Sequence, residues 1–367
     1  MTSVHPARDV RIFYKMCACL AAAGYDTFLV APGESFEENG VRVLGAGDAP
    51  ASRVLRMTRF ARKVYRMALS LDAHIYHLHD PELLRFGLKL MRGGKRVIYD
   101  SHEFPALGIR TKGWIPGPLR PLIAWAYKTY EARVCKKLDG VIAVCDVDGK
   151  NYFKGRAKRV WYIANYPGLQ ELGCARMDAC PKDRAGARQA AYIGGLSAAR
   201  GITAAVQSAA LAGVPLHIAG AFASEAYKKE LESLPAWANV TYHGVLDRRA
   251  VQALLRHVSI GVSIIKNEGQ YGHIDTLPVK VYEYMAYGLP VVLSDTPFHR
   301  KLNEALRFGV CVDPDDEAAV AGALRFLCEN PAAARALGKN GRAAVLEKFN
   351  WETEKKTLLA IYQLLGG

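Results

Sequence analysis

The chain has 367 residues, more than one ordinary hydrophobic core accommodates, so two domains are expected. Half of the residues are apolar and 23% charged, which excludes disorder along the whole length, and no run of about 18 apolar residues is present to span a bilayer. The net charge of +14 is uneven: residues 1–167 carry 27 Lys/Arg against 15 Asp/Glu, and residues 168–367 carry 22 against 20. A basic half joined to a nearly neutral one points to an anionic partner for the first half. The start, MTSVHPARDV, lacks the apolar core of a signal peptide, and eight cysteines without a Cys-x-x-Cys pair read as reduced cytosolic thiols.

In chain order, Asp9 is placed to cap a helix with Ile12, Met16, Leu20 and Ala23 on its apolar side, stopped by Gly24. Strand-like runs follow at 27–31, 73–78, 96–100, 140–145 and 160–164. Between the first two lies RVLRMTRFARKVYRMAL, residues 53–69. It is a basic amphipathic helix with Arg53, Arg56, Arg59, Arg62, Lys63 and Arg66 along one side and Val54, Leu55, Met57, Phe60, Val64 and Met67 as apolar surface. A second segment, 109–128, adds Trp114, Ile115, Trp125 and more cations. The second half repeats the alternation, with strands expected at 190–194, 216–219, 240–243, 260–265, 290–294 and 310–313. Strands alternating with helices imply parallel sheets covered on both faces, and two such sets imply two doubly wound domains. Their expected bounds are 1–166 and 190–350, joined by a linker at 167–189, with a closing helix at 351–365 free to pack back on the first.

Ligands of such sheets sit beyond the carboxyl ends of the strands. In the first half those positions hold His79, Asp80, Asp100, His102 and Glu103; in the second they hold Gly194, Gly195, Gly220 and Gly244. Acids and histidines on one side and glycines on the other suggest chemistry on one wall and a nucleotide on the other. The segment 275–294, DTLPVKVYEYMAYGLPVVLS, begins a helix near Pro278. Its free N–H groups and Lys280 make an anion site, and Glu283 lies within reach of a sugar or ribose diol. Asp146-Val-Asp148 reads as a helix cap and Asp313-Pro-Asp315 as a loop before a helix.

The 275–294 segment resembles the donor-binding helix of retaining family-4 glycosyltransferases of the GT-B fold, in which a Glu-x7-Glu pattern ends in an E-Y-M-A-x-G-x-P-V run. Glu283 matches the second acid; Asp275 stands at the first, one methylene shorter. YIGGLSAARGI, 192–202, is similar to the family's glycine loop, with Arg200 at a diphosphate-binding position and Gly195 where a second cation is usual. The opening, HLHDPELL and VIYDSHE resemble bacterial exopolysaccharide and lipopolysaccharide members, although the first strand is only MTSV and His5-Pro6-Ala7-Arg8 replaces a double glycine.

The resemblance implies an α/β GT-B fold, two Rossmann-like domains facing each other across a cleft. It implies catalytic roles for His102, Glu283 and Asp275, and donor binding by Gly194, Gly195, Arg200, Gly220, Gly244, Lys280 and Glu283. His5, Asp9, His79, Asp80 and Asp100 fall on the acceptor side; His79 and Asp80 equally fit a helix cap at Pro81, and Asp9 a cap at Val10. With cations at the diphosphate, no metal and no cofactor are expected. The expected reaction is metal-independent transfer of a sugar from a nucleoside diphosphate to a lipid-linked glycan acceptor. The expected setting is the inner face of the cell membrane, with Arg56, Arg59, Lys63 and Trp114 toward anionic lipid, and nucleic acid excluded. A nucleoside-diphosphate-sugar 2-epimerase and a non-catalytic partner subunit on the same fold are the rival readings.

Overall fold

The computed structural model describes residues 1–113, 115–172 and 188–366. The chain divides into two units, one of Met1–Asn165 with the closing helix Trp351–Gly366, the other of Tyr166–Asn350.

In the first unit, β1 (Thr27–Ala31) runs parallel to β3 (Val41–Gly45), which pairs antiparallel with β2 (Phe36–Glu38). The β2–β3 hairpin has no counterpart in the sequence reading, because it is short, and Asn39-Gly40 at its tip takes two positive φ angles, 55° and 72°. A second set of strands runs parallel in the order β4 (Ile75–Leu78), β5 (Arg96–Ser101), β6 (Gly140–Ala143), β7 (Val160–Tyr162). The chain start links the two sets. Thr2 donates its N–H to the Val30 carbonyl (3.0 Å), the Met1 ammonium donates to the His77 carbonyl (2.7 Å), and the Met1 carbonyl accepts from His79 (3.2 Å). The segment MTSV therefore sits in a strand's place, although it is too short to form a regular strand.

Asp9 caps the first helix, which runs through Val10–Cys17 and Ala18–Ala22; its carboxylate accepts from the N–H groups of Arg11 (2.8 Å) and Ile12 (2.9 Å). Residues 53–69 are helical throughout. Phe60, Val64 and Ala68, spaced by four, bury one side, so Phe60 and Val64 belong to the core and not to an outer apolar surface. Val54, Leu55 and Met57 are exposed. No helix follows Asp146-Val-Asp148; Asp148 and Gly149 take positive φ and the segment turns back on itself between Val147 and Lys150. The closing helix buries Trp351, Leu358, Ile361, Tyr362 and Leu365 against Met16, Leu20, Ile98, Ile142 and Ile163.

The second unit is one parallel sheet of β10 (Val240–Tyr242), β9 (Leu216–Ala219), β8 (Ala190–Ile193), β11 (Ile260–Ser263), β12 (Val291–Ser294) and β13 (Gly309–Val312), in that spatial order. The order reverses between β8 and β11, which is the doubly wound pattern and fixes the switch point there. Apolar clusters cover both faces. The described start of the expected linker is not free chain: Leu172 is fully buried in the second unit, and Tyr166, expected in the first, packs edge-on to Phe349 of the second. The remainder, 173–187, lies outside the described residues. Among the described residues no helix is long and apolar enough to cross a membrane.

Ile361→Ala is expected to destabilise the first unit by about 2–5 kcal/mol, as a large-to-small change in a closed core. Chemical denaturation checks this, and a loss near zero would detach the closing helix from that core.

Candidate functional site

In the second unit the donor-side residues meet at the switch point. Gly194, at the end of β8, has φ 133°, and Gly220, at the end of β9, has φ 144°. A Cβ on Gly220 would collide with the Gly194 carbonyl, and the Gly220 N–H donates to the Gly244 carbonyl at 2.7 Å. The three strand ends are thus drawn together, and side chains are kept off that edge. A Cβ on Gly194 would lie 2.9 Å from Lys280 Nζ, and one on Gly195 3.6 Å from Arg200 Nε. The two cations therefore flank one turn of backbone.

Lys280 sits in the first turn of the helix Val279–Ala286, which Pro278 precedes. Its ammonium lies 3.6 Å above the Tyr192 ring, is buried, and has no hydrogen-bond partner among the described residues. Burial, reinforced by the nearby Arg200, pushes its pKa well below the ordinary lysine value. Arg200 donates to the Tyr271 hydroxyl at 3.5 Å and also bears on the Tyr192 hydroxyl. Free helix N–H groups, a glycine loop and two cations that form no ion pair among the described residues make a site for a compact anion, with Glu283 the nearest opposing charge on Lys280.

Glu283 is held by a residue the sequence reading missed. Arg248, first residue of the helix Arg248–His257, donates to its Oε1 at 2.6 Å and also to the Glu171 carbonyl at 3.1 Å. No spacing in the sequence links positions 248 and 283; only the fold does. Asp275 lies half-buried in the loop before the helix.

In the first unit His5, Asp9, His79, Asp80, Asp100 and His102 form one cluster around Arg11, which the sequence reading also missed. Arg11 is 5% exposed and bonds Asp100 through both carboxylate oxygens, at 2.8 and 2.9 Å. It donates further to the Ile163 carbonyl at 2.9 Å. Burial alone would raise the Asp100 pKa, but Arg11 and His79 hold it well below the usual carboxylate range. His79 Nδ1 is 3.1 Å from Asp100, and burial pushes His79 down to about 4. His79, Asp80 and Asp100 are all buried and bonded within the cluster. Asp80 makes no cap; its Oδ2 takes the Ser3 N–H, at 2.5 Å. His5, Asp9 and His102 are the part-exposed members, with side chains 25%, 23% and 15% accessible. His77, His79 and Asp100 bring ligand atoms within 4.8 Å of one another, but Arg11 already places a fixed positive charge on Asp100.

The basic helix borders a cavity of about 580 Å³ lined by Thr58, Arg59, Arg62, Lys63, Arg66, Met67 and Arg85, with no carboxylate among them. Arg85, from the helix Leu84–Arg92, is anchored by the Met57 and Thr58 carbonyls. Arg56 departs from the expected outward row: it is turned toward Glu82, 3.6 Å away. Trp114 lies outside the described residues. Leu122 and Trp125, on the helix Arg120–Cys135, are exposed.

The sequence matches two family models, the glycosyl transferase 4-like domain over residues 10–165 and glycosyl transferases group 1 over residues 182–344. The chain is a glycosyltransferase of the GT-B fold. No curated protein matches it. Among solved structures, it is similar to sucrose-phosphate synthase from Thermosynechococcus elongatus, at 20% identity and TM-score 0.74 over 95% of this chain and 91% of that one. It is similar to Anabaena HepE in complex with UDP and glucose, at 13% identity and TM-score 0.68 over 98% of each chain. It also resembles an α,α-trehalose-phosphate synthase (UDP-forming) from Burkholderia vietnamiensis, at 15% identity and TM-score 0.65 over 94% of each. At these identities the likeness establishes the fold of this glycosyltransferase.

Asp100→Asn strands the buried Arg11 charge and is expected to cost about 3–5 kcal/mol, with part regained in the double variant Arg11→Met/Asp100→Asn. Denaturant titration of the three proteins measures both terms.

Proposed function

We propose that this glycosyltransferase is a retaining family-4 hexosyltransferase that moves a sugar from a nucleoside-diphosphate sugar to a lipid-linked glycan in cell-surface polysaccharide synthesis. The observation that carries the reading is the buried, unpartnered Lys280 ammonium beside Arg200 at a helix start. Two neighbouring cations repel, and a diphosphate bound between them removes that repulsion and supplies the missing partners. The HepE complex, which holds UDP and glucose on the same fold, makes uridine donors the first to test.

In the proposed reaction the bond from the anomeric carbon to the diphosphate oxygen breaks. The acceptor hydroxyl oxygen bonds to the same face of that carbon, and its proton passes to the departing phosphate oxygen. Negative charge grows on the diphosphate as the bond breaks, and Arg200, Lys280 and the helix N–H groups stabilise it there without reorganising. Glu283, oriented by Arg248, fixes the donor's diol and Asp275 its sugar; His102 is the catalytic candidate of the first unit. The fixed cations do the work a metal does elsewhere, so turnover is expected to persist in excess chelator.

Arg200→Ala and Glu283→Ala are each expected to lower kcat/KM at least about 100-fold with the fold intact, measured by transfer from a panel of UDP-, GDP- and ADP-sugars. Wild-type turnover in either would remove the site assignment. Because the diphosphate favours charged Lys280 and the empty site disfavours it, binding should take up protons and weaken as pH rises. Calorimetry in buffers of different ionisation enthalpy measures the uptake, and Lys280→Met should abolish it.

The cationic cavity on helix 53–69, next to exposed Val54, Leu55 and Met57, supports peripheral attachment to an anionic membrane on its cytoplasmic side, where a lipid-linked acceptor lies. Arg59→Glu/Arg62→Glu/Arg66→Glu is expected to lose sedimentation with phosphatidylglycerol vesicles while keeping its thermal midpoint. Undiminished sedimentation, or faster transfer to a soluble sugar phosphate than to a lipid-linked glycan, would overturn this part.

A further inference from the structure

The rings of His5 and His102 meet edge to face with their Nε2 atoms 2.9 Å apart. At that distance one nitrogen donates and the other accepts. The other nitrogen of His5, Nδ1, lies 3.4 Å from the Asp9 carboxylate; since a carboxylate only accepts, Nδ1 carries a hydrogen. A charged His102 donating to a neutral His5 would set a second positive charge against the buried Arg11 guanidinium, which already pairs with Asp100; two other arrangements remain. In one, His5 is neutral and His102 donates from Nε2. That leaves a bare, buried Nδ1 on His102, 3.8 Å from an Asp100 oxygen, with no donor reaching it. In the other, His5 carries both hydrogens, donating one to Asp9 and one to His102, and the Nδ1–H of His102 points toward Asp100. Every lone pair and hydrogen then faces a partner of opposite sign.

The surroundings agree with the second arrangement. Asp9, from the first helix, Asp80, 3.6 Å away beyond β4, and Glu103, beyond β5, all bear on His5. Asp100 and Asp80 also face His102, but so do the Arg11 guanidinium and His5 itself. Burial lowers the pKa of His5, yet the carboxylates outweigh it and leave it raised; for His102, burial leads and the net shift is downward.

We infer that His5 is a positioning residue for His102: it carries the proton of the pair and, by donating it, fixes His102 as the Nδ1–H tautomer with Nε2 an acceptor. A substrate hydroxyl that displaces His5 from that nitrogen must enter as a donor, which selects its orientation. This consequence rests on the assignment of His102 to the substrate; the location of the proton does not.

The test uses the full chain with ¹⁵N-labelled histidine and long-range N–H correlation spectra over a pH titration. The expected spectrum shows His102 as the Nδ1–H tautomer and His5 as an imidazolium titrating above a free histidine, and Asp9→Asn lowers that midpoint. His5→Gln, whose amide donates without titrating, should keep the His102 tautomer at every pH. His5→Phe should release it. In transfer assays, wild-type kcat/KM should fall as pH rises through the His5 titration. The His5→Gln variant should lose that fall, and His5→Phe should be about ten-fold slower throughout, the loss of one hydrogen bond. An Nε2–H tautomer of His102 in the wild type, or an unaltered His102 spectrum in His5→Phe, overturns the inference. A wild type that transfers no sugar overturns the transferase reading instead, while the spectra still decide where the proton lies.

Discussion

A buried ammonium without a hydrogen-bond or ion-pair partner is costly, and among the described residues the second unit holds Lys280 in that state next to a second cation. Its apolar surroundings and the Tyr192 ring below it offer little compensation for lost water. The glycines at the ends of β8 and β9 let backbone crowd where side chains would otherwise fill the space, and the helix Val279–Ala286, which has no side-chain cap, brings Lys280 to the same place. The proposed chemistry depends on this arrangement, because charge that is fixed before the reaction stabilises charge that develops during it.

The first unit resolves the same problem in the opposite way. Two of its buried charges have firm partners: Arg11 bonds Asp100, and Asp80 accepts from the Ser3 N–H. The pairing makes a buried floor, with His5, Asp9 and His102 as the part-exposed groups above it. The acids at the strand ends therefore serve the fold first. Their contribution to chemistry passes through the two histidines they orient.

Much of this was legible in the chain. Alternating strand and helix signals gave two parallel sheets, since a strand buried on both faces is a short continuous apolar run. Pro278, Lys280 and Glu283 could be placed on a helix start from periodicity alone, and Asp9 reads as a cap because a short acid before an apolar-periodic run has N–H groups to satisfy. The β2–β3 hairpin stayed hidden, because three residues on each side of a turn carry too little periodicity to stand out. Asp146-Val-Asp148 misled, because an Asp before a helix and an Asp before a positive-φ Gly look alike locally.

What the sequence determined by itself was local: which segments are strands, where helices begin, which half is basic, and which residue types stand at strand ends. The tertiary structure decided the partners. It set Arg11 against Asp100, 89 positions away, and Arg248 against Glu283, 35 away; it turned Arg56 toward Glu82 while Arg59 stayed on the cavity; and among the described residues it left the Lys280 ammonium without a hydrogen-bond partner. The division follows from range. Propensity and capping act over one turn of chain, whereas burial and charge pairing depend on which distant segments the sheets bring side by side.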